Sequence, residues 1–292
     1  TLSSSSAASD VYKRQGVGAG AGVGAGVRPG TLNLQPCRLP GLATEARCGT
    51  LVRPLDPSRP QGPTVEIHLA VLPAVARVPL PDPVLFLAGG PGQGAIDLAG
   101  PVQGLLGRLN NRRDLLLVDL RGTGRSAPLS CAFDAAEAAR RPLAESFDLR
   151  LREEAVAACR SALAKGPAGD LTAYGTTLAV QDLLAVLDAW GRERVNLVGG
   201  SYGTRVALEF ARQAPDRVRR SVLDGVAPPD MQLPRSGAED NRAALEALLR
   251  ACEQDAPCAA AHPRVRAQLR ALLDAPPREV TCLLYTSPSP RD

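Results

Sequence analysis

Residues 195–212 read VNLVGGSYGTRVALEFAR. The opening Val-Asn-Leu-Val has the length and composition of a short buried strand, and Thr204 to Arg212 places apolar residues at helical spacing. Between them, Gly199-Gly200-Ser201-Tyr202-Gly203 fits G-x-S-x-G, a pattern that seats a Ser on a tight turn from strand into helix. Glycines flank the Ser because side chains there would collide where strand and helix cross. The strained turn lifts the hydroxyl clear of the backbone, where it can act as a nucleophile. A structural turn with a spectator Ser is the plain alternative. The strand before and the helix after are the context that a nucleophile requires.

Two further stretches bear on the same chemistry. Residues 83–88 (PVLFLA) form a short buried strand that runs into Gly89-Gly90-Pro91-Gly92. Acyl transfer needs backbone N–H donors aimed at the developing oxyanion. Glycines leave such amides unobstructed, so one donor is expected from this loop and another from Tyr202, the residue after the Ser. No Gly-Lys-Ser/Thr follows, which excludes a phosphate-cradling loop. The third stretch, residues 119–126 (DLRGTGRS), follows another buried strand at residues 114–120. It reads as a structural turn whose Arg and Asp brace the loops around the site.

Strands are also expected at residues 48–52, 64–72 and 218–224, and a helix at residues 176–190 with Leu178, Leu183, Val186, Leu187 and Trp190 on one face. Strands alternating with helices, apolar on both sides, argue a parallel sheet covered by helices. Pro228-Pro229 ends that rhythm, and residues 240–251 and 264–273 read as amphipathic helices of a helical insert. Residues 16–30 (GVGAGAGVGAGVRPG) contain G-x-G-x-x-G, but neither a strand before nor a helix after supports dinucleotide binding. A flexible linker or the tail of a signal peptide is the expected reading there.

Composition excludes several classes. Basic and acidic residues nearly balance, 34 against 30, and aromatics are 3%, so neither a basic footprint nor a base-stacking platform for nucleic acid is present. No run of 18 apolar residues marks a membrane span. No cofactor or metal is expected, since no C-x-x-C or His-rich partner accompanies the cysteines. The bias toward Ala, Arg, Gly and Pro breaks at both ends: SSAASDVYKRQ at residues 5–15 and CLLYTSPSPRD at residues 282–292 resemble translated sequencing-library adaptors. On that reading residues 1–15 and 282–292 are not native, residues 16–34 are linker or leader remnant, residues 35–228 are the core, and residues 229–281 are a partial helical cap. The gene is then cut at both ends. Six cysteines remain, in local pairs Cys37 with Cys48, Cys131 with Cys159, and Cys252 with Cys258. Six allow 15 connectivities, so this pairing is one of several, and buried free thiols are the alternative. Three disulfides imply an oxidising compartment.

The order G-G-P-G at residues 89–92, D-x-R-G-x-G-x-S at residues 119–126 and G-G-S-Y-G at residues 199–203 resembles the α/β-hydrolases. It is most similar to the branch of proline iminopeptidases and bacterial tripeptidyl-aminopeptidase-like serine exopeptidases. The resemblance covers about residues 35–260. It implies an α/β-hydrolase sheet with helices on both faces and a partial helical cap, lacking the C-terminal strands. Ser201 would be the nucleophile, and Gly90 and Tyr202 the oxyanion amides, with Gly89 as the lesser candidate. Ala88 stands where iminopeptidases often carry His, which weakens a case for proline specificity.

A Ser nucleophile needs a base and an orienting acid, in this fold in the order Ser, acid, His. The chain holds two histidines. His68 precedes Ser201 inside a strand, and His262 follows within the helical insert; neither is expected to be the base. Asp224, ending the strand after the nucleophile helix, is a low-ranked acid. The true Asp and His are expected beyond Thr281, so the chain alone should be inactive. The expected parent is a secreted or periplasmic exopeptidase acting on peptides, with Asp240 or Glu246 as candidates to bind a substrate amine. An esterase or lipase acting on small esters, or a non-catalytic binding protein, is the alternative. Oligomeric state is not readable.

Overall fold

The structure, a computed structural model, describes residues 32–131, 145, 148–167, 169–232 and 235–275. The segments at residues 5–15, 16–30 and 282–292 lie outside them. The chain divides into two compact units between Pro229 and Asp230.

The first unit is built on a seven-stranded sheet: β1 (Gln35–Cys37), β2 (Ala46–Pro54), β3 (Thr64–Leu72), β4 (Val84–Leu87), β5 (Leu115–Val118), β6 (Val195–Gly200) and β7 (Val218–Asp224). Their order across the sheet is β1-β2-β3-β5-β4-β6-β7. The β5-β4-β6-β7 half is parallel, as the alternation of strands and helices predicts. The β1-β2-β3 half is antiparallel and joins β5 antiparallel, so the sheet is mixed rather than all parallel. The cause is local: β1, β2 and β3 follow one another with no helix between them, and only a crossover can bring a following strand back parallel.

Helices cover both faces. On one side lies α1 (Ala99–Asn110), entered through a short 3-10 turn at Ile96–Leu98. Ile96, Val102 and Leu106 pack there against Ala70, Leu72, Val84, Leu115 and Leu117. On the other side lie α3 (Thr176–Trp190) and α4 (Tyr202–Gln213), whose Leu183, Val186, Leu187, Val206 and Phe210 meet Leu69, Leu85, Leu87, Leu116 and Leu197. Neighbouring residues of one strand thus serve opposite cores, Val84 one and Leu85 the other, as strand alternation requires. Both α4 and α3 have the stripe their spacing predicts, and Gly191 closes α3 in the left-handed conformation at φ 72°. Phe210 is fully buried, worth about 1.5–3 kcal/mol by removal of its ring from water. By contrast, β7 is largely exposed, Val222 at 56%, so its apolar residues are not covered on both sides.

The other α-helix of this unit given among the described residues, α2 (Leu149–Lys165), is capped by the Asp148 carboxylate, which accepts from the Arg150 and Leu151 amides. The second unit holds α5 (Arg235–Gln254), α6 (Ala256–Ala261) and α7 (Val265–Leu273). Within it, Arg266 bridges α7 to Glu246 and Glu253 of α5. The structure pairs Cys37 with Cys48, Cys131 with Cys159 and Cys252 with Cys258. No described helix is long and apolar enough to cross a membrane.

Candidate active site

From β4 the chain passes through α1 to β5 on one side, while β6 takes the other side of β4. The strand order therefore reverses at β4. A crevice opens at such a switch point beyond the carboxyl ends of the strands. The glycine loop at residues 89–92 falls there after β4, and the Ser201 turn after β6.

Ser201 occupies the turn between β6 and α4 with φ 53° and ψ −120°. Positive φ is uncommon for a side-chain-bearing residue and stores about 1–3 kcal/mol. Four bonds hold it. The Ser201 amide donates to the Asp224 carbonyl at 2.8 Å. The Ser201 carbonyl accepts from the Thr204 amide at 3.0 Å and from the Thr204 hydroxyl at 2.6 Å. That hydroxyl oxygen in turn accepts from the Ala227 amide at 2.8 Å. The Ser201 residue itself is exposed. The flanking glycines are required by contact: a Cβ on Gly199 would lie 2.7 Å from the Gly203 carbonyl carbon, and one on Gly203 would run into the Leu87 carbonyl of β4.

The glycine loop after β4 meets this turn. A Cβ built on Gly89 would lie 3.3 Å from Ser201 Cβ and 3.3 Å from the Gly200 carbonyl oxygen. Gly90 has φ 105° and Gly92 φ 117°, and the Gly90–Pro91 peptide is cis. Among the described residues no backbone carbonyl accepts from the Gly90 amide. The Tyr202 amide lies in the first turn of α4, where helix geometry offers no internal acceptor. The Tyr202 phenol is tied to the Thr176 hydroxyl at 2.7 Å, joining the first turns of α3 and α4. A cavity of about 220 Å3 opens beside this junction, lined among others by Gly89, Gln93, Leu120, Leu129, Tyr174 and Tyr202. Burial pushes the Tyr174 phenol above its ordinary pKa, opposed by the positive charge of Arg121.

Arg121 lies under that cavity and is structural. Its guanidinium, 1% exposed, grips Asp182 of α3 through two bonds of 2.7 and 2.9 Å. It also donates to the Leu55 and Ala173 carbonyls at 2.9 and 2.7 Å. Asp182 is a residue that motif reading misses. The signal for it is an acid standing in the buried stripe of α3, three residues after Ala179 and four before Val186.

The acid and base candidates fare differently. His68 stands on β3, within hydrogen-bond reach of Thr50 and beside Glu66. Strands β5 and β4 separate β3 from β6, about 14 Å at three strand spacings. Asp224 adjoins Ser201 through its backbone, with its side chain exposed at the end of β7. His262, Asp240 and Glu246 belong to the second unit; Glu246 is spent on Arg266 at 2.7 Å. No metal-binding group of His, Cys, Asp or Glu occurs among the described residues.

Residues 82–252 match the α/β-hydrolase fold family, and the chain belongs to it. It is similar to the serine protease Hip1 of Mycobacterium tuberculosis, 31% identical over 215 residues that make up 67% of this chain and 39% of that protein. It is also similar to the tripeptidyl aminopeptidase of Streptomyces lividans, 27% identical over 63% of this chain and 36% of that one. The chain therefore spans less than half the length of these relatives. Among solved structures, a proline iminopeptidase-related protein of Thermus thermophilus aligns at 19% identity and a TM-score of 0.34, covering 66% of this chain and 44% of the other.

Proposed function

We propose that this chain carries the nucleophile and oxyanion half of a serine hydrolase, an exopeptidase that releases N-terminal residues or short peptides. The observation that carries the reading is the junction of Gly89 with Ser201, two positions 112 residues apart packed so closely that a Cβ on Gly89 would lie 3.3 Å from that of Ser201, itself at a strained turn. Ser201 attacks the scissile carbonyl, and the oxygen of the tetrahedral intermediate settles on the Gly90 and Tyr202 amides, with Gly89 as the lesser candidate. Preorganised donors of this kind are worth roughly 2.7–4 kcal/mol each in the transition state. Collapse of the intermediate expels the amine and leaves an acyl-enzyme on Ser201, which water hydrolyses. Peptide substrates are favoured by the likeness to Hip1 and to tripeptidyl aminopeptidase. The paired cysteines support a secreted or periplasmic setting.

The base and its orienting acid are proposed to lie beyond Thr281; His68, three strands from Ser201, is too far to serve. The 292-residue polypeptide is then a poor catalyst by itself. The test is the full-length gene product on alanyl- and prolyl-arylamides and on short-chain esters, with Ser201→Ala beside it. Arylamide turnover that disappears with the hydroxyl is the expected result. Turnover of esters alone would replace the exopeptidase by an esterase, and turnover that survives Ser201→Ala would remove the nucleophile assignment. Ser201-dependent turnover by residues 16–281 alone would overturn the placement of the base and acid.

A further inference from the structure

We propose that Asp119 is the positioning residue of the oxyanion loop: its carboxylate accepts the Ile96 amide on one oxygen and the Arg125 amide on the other, and so fixes residues 89–95 against Ser201. This role rests on the hydrolase reading above and adds to it a residue that touches neither substrate nor nucleophile.

Asp119 follows β5 and is fully buried. Its Oδ1 accepts from the Ile96 amide at 2.9 Å, and its Oδ2 from the Arg125 amide at 2.9 Å. It forms no ion pair among the described residues, so its polar partners are backbone groups of two different loops. One is the loop that starts at Gly89 and ends at Ile96. The other is the turn at residues 121–126. Within the first loop the only backbone bond among the described residues is a long one, Gln93 amide to Gly89 carbonyl at 3.4 Å. The Gly-rich stretch is thus tethered by β4 at its start and by Asp119 at its end.

Packing around the carboxylate explains two glycines that the motifs alone leave unaccounted for. A Cβ on Gly124 would run into Asp119 Oδ2. A Cβ on Gly94 would lie 3.2 Å from Asp119 Oδ1 and 2.8 Å from Gly124 Cα. Gly94, Gly124 and the carboxylate therefore interlock, and the site loop can lie against the turn only because both positions lack side chains. The two accepted N–H bonds favour the ionised carboxylate, while burial, the largest influence, pushes its pKa above the ordinary Asp value. The charged groups acting on it are Asp97, which raises it further, and Arg125, which lowers it. Protonation would turn one acceptor oxygen into a hydroxyl donor and release one of the two loops.

The test follows backbone amide shifts of Gly89, Gly90, Gly92 and Gln93 by NMR through an acid titration of the 292-residue chain. All four should titrate together at a midpoint above that of an ordinary Asp. The transition should vanish in Asp119→Asn and persist in Asp97→Asn, whose residue is exposed. Because the wild-type titration needs no variant, misfolding of Asp119→Asn leaves the test intact. In the full-length gene product Asp119→Asn should lower kcat on the order of 10²-fold with KM nearly unchanged, the signature of a displaced oxyanion site. Amides that ignore the titration, or that follow Asp97 instead, overturn the assignment. Amides that follow Asp119 in a protein without Ser201-dependent hydrolysis would leave the positioning role standing and remove the hydrolase reading.

Discussion

Replacing Asp182 by Leu should destabilise the sheet unit far more than its one lost carboxylate implies. Arg121 is 1% exposed and Asp182 2%, so the substitution strands a guanidinium in the interior whose other partners among the described residues are the Leu55 and Ala173 carbonyls. Removing one partner of a buried pair costs about 3–5 kcal/mol. For a unit of this size that lowers Tm by roughly 6–20 °C. The reverse substitution, Arg121→Met, is partly relieved, because Arg53 also reaches Asp182 at 3.3 Å and stands 18% exposed. The double variant Arg121→Met/Asp182→Leu removes both charges and leaves two carbonyls without donors, at about 1–3 kcal/mol each. It should therefore lose less than the two single variants summed. Urea unfolding followed by Trp190, the sole tryptophan and on the same helix as Asp182, measures all four corners of the cycle. A loss below about 1 kcal/mol for Asp182→Leu, or losses that simply add, would refute the reasoning.

Gly203→Ala should cost about 1–3 kcal/mol by overpacking, since its methyl meets the Leu87 backbone rather than a movable side chain; thermal melting gives the loss, and a crystal structure should show α4 backed away from β4. The Glu209 carboxyl is held at about 2 by its bonds to Arg212, above all, against partial burial. A lowered folded pKa contributes stability that is whole above the unfolded value near 4.5 and is lost as pH falls toward about 2. Wild type should therefore lose up to about 1 kcal/mol more than Glu209→Gln across that window, a small figure because the Arg212 end of the pair is exposed to solvent; melting curves at several pH values check it. Helix α2 buries no described residue fully and is held by Cys159, so Cys131→Ser/Cys159→Ser should unfold it more often and speed trypsin cleavage after Arg150, Arg152 and Arg160. The 28-residue separation corresponds to roughly 3–4 kcal/mol of lost chain constraint, and unchanged cleavage would count against the tether.

The amino-acid sequence by itself determined the features that depend on neighbours along the chain. The Ser201 turn, the glycine loop after β4, α3 over Thr176–Trp190 and β7 over Val218–Asp224 were legible because spacing, flanking glycines and apolar runs act over a few residues. The three local cysteine pairs proposed from the sequence are those the structure forms, although spacing alone left 15 connectivities open. Helix α1 was not legible: AGPVQGLLGRLN carries three glycines and a proline, poor helix formers, and it is held by burial of Val102 and Leu106 on the sheet. Nor was the antiparallel join of β3 to β5, since β4 and α1 lie between the two strands in the chain. Only the tertiary structure set Gly89 against Ser201, Arg121 on Asp182 and Asp119 beneath Ile96, pairs separated by 112, 61 and 23 residues. Contacts at such distances leave no periodic trace in the chain. They are decided when the two faces of the sheet fill with helices and each buried charge must find what partner the packing leaves within reach.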